Sequence, residues 1–390
     1  MMRIVTIFVA LLISVLPLLS LATTTISVES CQDLLDAAEA TESGNVVAEM
    51  NATYINCGSW TTLEVKDNRL KLVTIPEHDD STTFYLQFVR FLVSSGTLQS
   101  DVRLSLGASY TETNPREVNG GVLHVAEDAA AKFNSHVYMT RSVIATTVED
   151  SGDDPWVGGC IYNEGLINFN SGLETDGCST AGGSVDFGDS VFGDGGTIWN
   201  GENGKVVVKE SMNLVGDWDG VRFSRLNEGS RGGIIFNSGE FVVKSDAELS
   251  LGRAAAGGSI YNEGVFTFRS DAYALLAETY AGGADIGGGA VVNSGTMKFK
   301  GGVKFDFAVA IELDGGGVVN SGTLIISEPA EFNQASAERY GGAIATSTSA
   351  TLEIPDDTIF TSCYVAGING VYDCDLIYIA DESGGYTCGP

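Results

Sequence analysis

The chain has 390 residues, enough for about two or three ordinary domains or for one long repeat array. Lys and Arg number 21 against 51 Asp and Glu, a formal charge of −30, which opposes binding to nucleic acid or anionic lipid, since both require basic patches. Hydrophobic residues make up 44% of the chain, so its acidity does not imply disorder and a core is expected.

Residues 1–22 read as a secretory leader. Arg3 supplies the charge, Ile4 to Leu21 the apolar run broken by Pro17, and Ser20-Leu21-Ala22 the cleavage site. No later run is apolar enough to cross a bilayer, so the expectation is an exported protein with no membrane insertion once the leader is removed. Export makes disulfides the default for Cys31, Cys57, Cys160, Cys178, Cys363, Cys374 and Cys388, whose spacing fits no zinc motif. Pairing by locality gives Cys31–Cys57, Cys160–Cys178 and one bond among the last three, with Cys363 and Cys374 as candidates; one Cys is left over. Asn51-Ala52-Thr53 is an N-glycosylation sequon.

Residues 23–119 are expected to form an amino-terminal cap and irregular first coils. Leu34, Leu35 and Ala38 fall at helical spacing within 29–44, and a short helix there would cover the open end of a stack of strands. From 46 to 107 the apolar residues alternate, as strands require.

From 120 to 362 the chain repeats. Gly-Gly frames begin at Gly120, Gly158, Gly195, Gly232, Gly257, Gly288, Gly315 and Gly341, spaced 38, 37, 37, 25, 31, 27 and 26 residues apart. Six of them continue into an aliphatic, a bulky residue and Asn, as in GGSIYNEG, and an alternating pair such as Phe266/Phe268 follows. Period two means strand, and Asn-x-Gly is a bend, because Asn tolerates and Gly accepts a left-handed backbone. Each frame therefore predicts two short strands joined by a bend, with residues to spare for a third strand and a loop. Helical periodicity is missing, and a propeller blade needs a longer unit. The pattern predicts an all-β solenoid of stacked coils, with a parallel β-helix as its form. The segment 363–390 is expected to close the far end as a Cys-containing cap.

Asn163, Asn200, Asn237, Asn262, Asn293 and Asn320 share one frame position, where stacked coils would bond amide to amide in a ladder. One place earlier stand Tyr162, Trp199, Phe236 and Tyr261. If the aliphatic residues beside them point inward, these four form an outward strip suited to sugar rings or another protein, unless the longer loops fold over it. Those loops are acidic, and Asp186, Asp189, Asp194, Asp217 and Asp219 are the candidate oxygen ligands for a Ca²⁺ ion; the other reading is a solvated acidic face.

The GG-x-[IV]-x-N frames resemble the repeats of right-handed parallel β-helix proteins of the pectin-lyase-like superfamily, and among these the GG-[AIV] repeats of polymorphic outer-membrane proteins. The resemblance covers roughly residues 120–354 and implies a right-handed winding. It also raises an enzyme reading, a Ca²⁺-dependent lyase or epimerase of uronate polymers with Arg222, Arg225, Asp186 and Asp189 as its residues. Neither a nucleophile elbow nor a phosphate loop is present, and His78, His124 and His136 stand without partners at useful spacing. The preferred expectation is a secreted cell-surface or matrix protein, structural, adhesive or glycan-binding, whose partner is a polysaccharide or a surface protein.

Overall fold

A computed structural model describes residues 23–79, 81–107, 119–140, 143–146, 157–182, 194–216, 231–275, 277–280, 287–311, 313–365, 377–380 and 386–388. The expected leader and Cys374 lie outside these residues.

The chain forms a parallel β-helix. One coil shows the path: strands Ile260–Asn262, Val265–Phe268, Ala272–Leu275 and Glu278–Tyr280 follow one another before the next Gly pair at Gly288. The first three lie on three faces of the coil, and each pairs in parallel with its counterparts in the coils before and after. The second face is a 12-stranded sheet, so at ~4.8 Å per rung the stack is roughly 50 Å long. The first and third faces join into one 21-stranded sheet, because Tyr54–Val65 and Thr83–Val93 run through both.

Alternation sends every second side chain inward, and stacking aligns like with like. Phe268 lies on Phe299 with ring centroids 5.0 Å apart, and Phe305 on Phe332 at 4.8 Å. Such columns merge into one continuous apolar core from Val28 to Ile377. Parallel strands cannot be joined by a two-residue turn, so the coil itself is the crossover, and the Gly pair makes its tightest corner. The two glycines serve different needs. In all eight frames the first has positive φ, 64° at Gly257, for example. The second lies against backbone of the next coil: a Cβ on Gly258 would run into the Gly289 carbonyl, and one on Gly289 into that of Gly316.

The Asn ladder forms as expected. Each Nδ2 donates to the Oδ1 of the next Asn, at 2.7 Å from Asn163 to Asn200, then 2.6, 2.7, 2.7 and 2.8 Å, and Asn320 ends the run on Thr346 Oγ1 at 3.2 Å. All six residues are at most 1% exposed, and the ladder provides the bond partners that burial demands.

From the first Gly of a frame to the end of the third strand the count is 18 in five of the eight frames and 20 in those at Gly120, Gly195 and Gly341. Ser250 stands 18 residues after Gly232, Leu275 after Gly257, Asp306 after Gly288 and Asn333 after Gly315. Apart from those two residues, the different frame lengths arise beyond that strand.

At the amino end, helix α1 (Cys31–Glu39) packs on the strands Thr23–Val28, Asn45–Met50 and Tyr54–Val65. Ser30 and Asp33 form its capping box, and the Cys31–Cys57 disulfide ties it to the third of those strands. Cys160–Cys178 is the second disulfide. Cys363 corrects the expectation of a third bond there. Its thiol is free and buried, and its Sγ donates to the Phe332 carbonyl at 3.3 Å. Locality in sequence suggested a partner, but the bend at Ser362, with φ 55°, and the short connection between strands Ile359–Thr361 and Tyr364–Val365 leave this side chain in the core.

Candidate functional site

The aromatic residues of the first face stack outside the coil, in the order His124, Tyr162, Trp199, Phe236, Tyr261. Tyr162 and Trp199 lie parallel with centroids 4.5 Å apart, and the next two steps are 6.1 and 5.8 Å. The strip is not open along its length. Phe236 and Tyr261 are only 3% and 7% exposed, clustered with Ala256 and Val292. Arg231 lies over both rings, its guanidinium 4.6 and 5.2 Å from their centroids. Tyr162 and Trp199 remain half-buried.

Arg231 is held there by carboxylates. Asp194 is buried and accepts on both oxygens, from the Arg231 backbone N–H at 2.9 Å and from Nε and Nη2 at 3.0 and 2.5 Å. Glu263 takes Nη1 at 2.9 Å. Burial raises the Asp194 carboxyl above its ordinary pKa, against the pull of its bonds to Arg231. Asp194, expected among the Ca²⁺ ligands, thus holds a guanidinium that clamps the aromatic strip. Asp186, Asp189, Asp217, Asp219, Arg222 and Arg225 lie outside the described residues. Among the described residues, no three His, Cys, Asp or Glu side chains converge as metal ligands would. Asn51 is half-buried, with its amide on Ser27 Oγ.

At the head of the strip, Arg90 is buried and donates Nε to the Gly120 carbonyl at 2.9 Å and Nη2 to that of Asn119 at 2.8 Å. The same Nη2 lies 3.2 Å from His124 Nδ1. A guanidinium only donates, so Nδ1 accepts and His124 is neutral. Burial, then the Arg90 charge, lowers its pKa to about 4. Below the ordinary value near 6.5 the unfolded chain takes up a proton that the folded chain refuses, so stability falls as pH drops through that window. The expected loss between pH 7 and 4 is about 2 kcal/mol, less than full burial would give because the ring is only part-buried. Urea midpoints of wild type and His124→Gln across this range check it. Parallel pH profiles would reject the assignment.

Two of the most accessible aromatic residues among those described lie on the third face, where the sequence drew no attention. Its outward column runs rung by rung through Tyr54, Tyr85, Ser105, Tyr138, Glu174, Asn213, Glu248, Tyr273, Lys304 and Glu331. Tyr54 and Tyr85 are neighbours and are 54% and 50% exposed. Over the later rungs the column lines an open groove of about 630 Å³, with Asp246 and Asp271 on its border. Tyr273 is fixed within it: its hydroxyl donates to Asp306 Oδ2 at 2.7 Å, and Lys304 Nζ lies 5.6 Å from its ring centroid. Burial, then Asp306 and Glu248, pushes the Tyr273 hydroxyl up to about 12. Burial also acts to raise Asp306, but bonds from Tyr273, Asn333 and Lys304 outweigh it and hold that carboxyl low.

A signal for this column exists in the sequence. In five of six coils its residue stands eleven places after the ladder Asn, as Tyr273 does after Asn262. Its side chains share an address but no chemistry, so no motif marks them. No protein-family model, curated protein or solved structure matches this chain. The site rests on its geometry.

Proposed function

We propose that this is an exported, extracellular or cell-surface β-helix that holds an extended glycan along its third face. The observation that carries the reading is the column itself. It places Tyr54, Tyr85, Tyr138 and Tyr273 in one line down the rod and ends in a groove of ligand size. A polymer laid along the axis meets a new outward side chain at each rung, at intervals of ~4.8 Å. Two disulfides agree with an oxidising destination, and the leader-like residues 1–22 with a route to it. Kinship with the pectin-lyase-like superfamily and with polymorphic outer-membrane protein repeats belongs to this proposal, on the GG-x-[IV]-x-N frames. The first-face strip enters it only at Tyr162 and Trp199, since Arg231 covers the rest.

Retention of the mature chain on neutral, amino and acidic polysaccharides tests the reading, with and without Ca²⁺. Tyr85→Ala and Tyr273→Ala should each weaken retention about tenfold, the worth of one sugar–aromatic stack. Tyr364→Ala, an exposed aromatic outside the column, should leave it unchanged. Retention indifferent to both tyrosines removes the track. Growth of the ultraviolet absorbance of unsaturated uronate ends would replace binding by a lyase reaction.

A further inference from the structure

The charge of the groove narrows the ligand. Lys304 is the one cation among the residues lining it, and it is already engaged, 3.3 Å from Asp306 and 3.8 Å from Glu331. Asp246, Glu248 and Asp271 form no ion pair within 4 Å among the described residues. Asp246 accepts the Ser270 hydroxyl at 2.5 Å and Asp271 the Gly302 backbone N–H at 2.8 Å, neutral donors that leave both charges in place. The carboxylates are distributed along the axis: Asp246 and Glu248 stand on one rung, Asp271 beside Tyr273 on the next, and Glu331 two rungs further. A uronate chain would bring its own negative charge into this field, which opposes it.

On the reading that the groove binds a glycan, we infer that its ligand is a cationic one, a polymer of amino sugars with free 2-amino groups. Such a chain offers one ammonium per ring, and a pyranose unit is about as long as one rung of ~4.8 Å. Its ammonium groups would then meet the carboxylates of the Asp246/Glu248, Asp271 and Glu331 rungs, passing the Lys304 rung before the last, while one ring lies on Tyr273. An extended basic peptide advances ~3.4 Å per residue and alternates its side chains, so its charges fall out of step with the rungs.

The test titrates the full mature chain with short oligomers of glucosamine, N-acetylglucosamine and galacturonate, by calorimetry at pH 5.5, with a lysine hexapeptide as comparison. Glucosamine oligomers should bind at least about tenfold tighter than the acetylated ones, and galacturonate should not bind. The triple variant Asp246→Asn, Glu248→Gln, Asp271→Asn should erase the preference for the free amine and leave the acetylated oligomers unchanged. Its substitutions are isosteric, and circular dichroism confirms the coil. Glu353→Gln, on the second face, should change nothing. Equal binding of both glucosamine forms overturns the cationic ligand and leaves the glycan track standing. Binding of none of the sugars overturns both. A lysine peptide that binds as tightly as glucosamine, and loses its affinity in the triple variant, overturns the amino sugar in favour of a basic polypeptide.

Discussion

Asn237→Ala is expected to lower stability by about 3 kcal/mol, although the residue touches no candidate ligand. Its amide accepts from Asn200 at 2.6 Å and donates to Asn262 at 2.7 Å, and all three residues are fully buried. Truncation removes both ladder bonds, together with longer ones to the Gly239 and Val265 carbonyls, and leaves a buried acceptor on Asn262 without its neighbour. Asn237→Asp goes further at neutral pH, since a carboxylate cannot donate and would set negative charge against the Asn262 oxygen. The folded coil would raise the pKa of that aspartate, so the variant should recover stability as pH falls towards 4. Denaturant unfolding of both variants measures this. A loss below about 1 kcal/mol for the alanine variant would mean that water replaces the ladder and that the amides do not hold the stack. Because each coil leans only on its neighbours, opening should begin at the rungs around Gly232 and Gly257 before spreading. Hydrogen exchange would place it.

The second large effect concerns the glycine that packs between coils. Gly258→Ala is expected to cost roughly 3 kcal/mol or to prevent folding, because its new methyl group meets only backbone. The Gly289 carbonyl and the Glu278 backbone surround that position, and none of these atoms can rotate away. Gly302 supplies the contrast. A Cβ there finds the Asp271 carboxylate at 3.4 Å and the Pro329 carbonyl at 3.7 Å, ordinary contact distances. Gly302→Ala should therefore stay within about 1 kcal/mol of wild type. Thermal unfolding of the pair decides the matter, and equal midpoints would show that the interface between coils yields.

These two positions also explain why the architecture was legible. A corner with positive φ, a backbone contact between coils and a buried amide ladder each admit almost one residue type, so Gly, Gly and Asn recur where stacking demands them. The same reasoning read the direction of Tyr162 and Trp199 correctly. It allowed for a cover by the longer loops but could not single out Arg231 over Phe236 and Tyr261, because the anchor that holds it, Asp194, stands 37 residues earlier. Cys363 failed for a related reason: proximity in sequence says which thiols are near, and only the corner at Ser362 between two strands says which way one faces. The third-face column was hidden most completely. Outward positions admit any polar or aromatic side chain, so Glu248, Tyr273 and Lys304 share no pattern beyond their spacing from the ladder.

The nearly fixed stretch of 18 to 20 residues from Gly pair to third strand has a consequence for how this rod tolerates change. Its ruler and its cargo space are separate parts of each coil. Beyond two extra residues in three of the coils, additional residues enter after the third strand is complete, so they alter neither the height of a rung nor the line of its neighbours. A foreign peptide grafted between Asn333 and Gly341 would be carried at a set altitude on the shaft. Grafts in successive coils would stand about one rung apart, like flags on a mast.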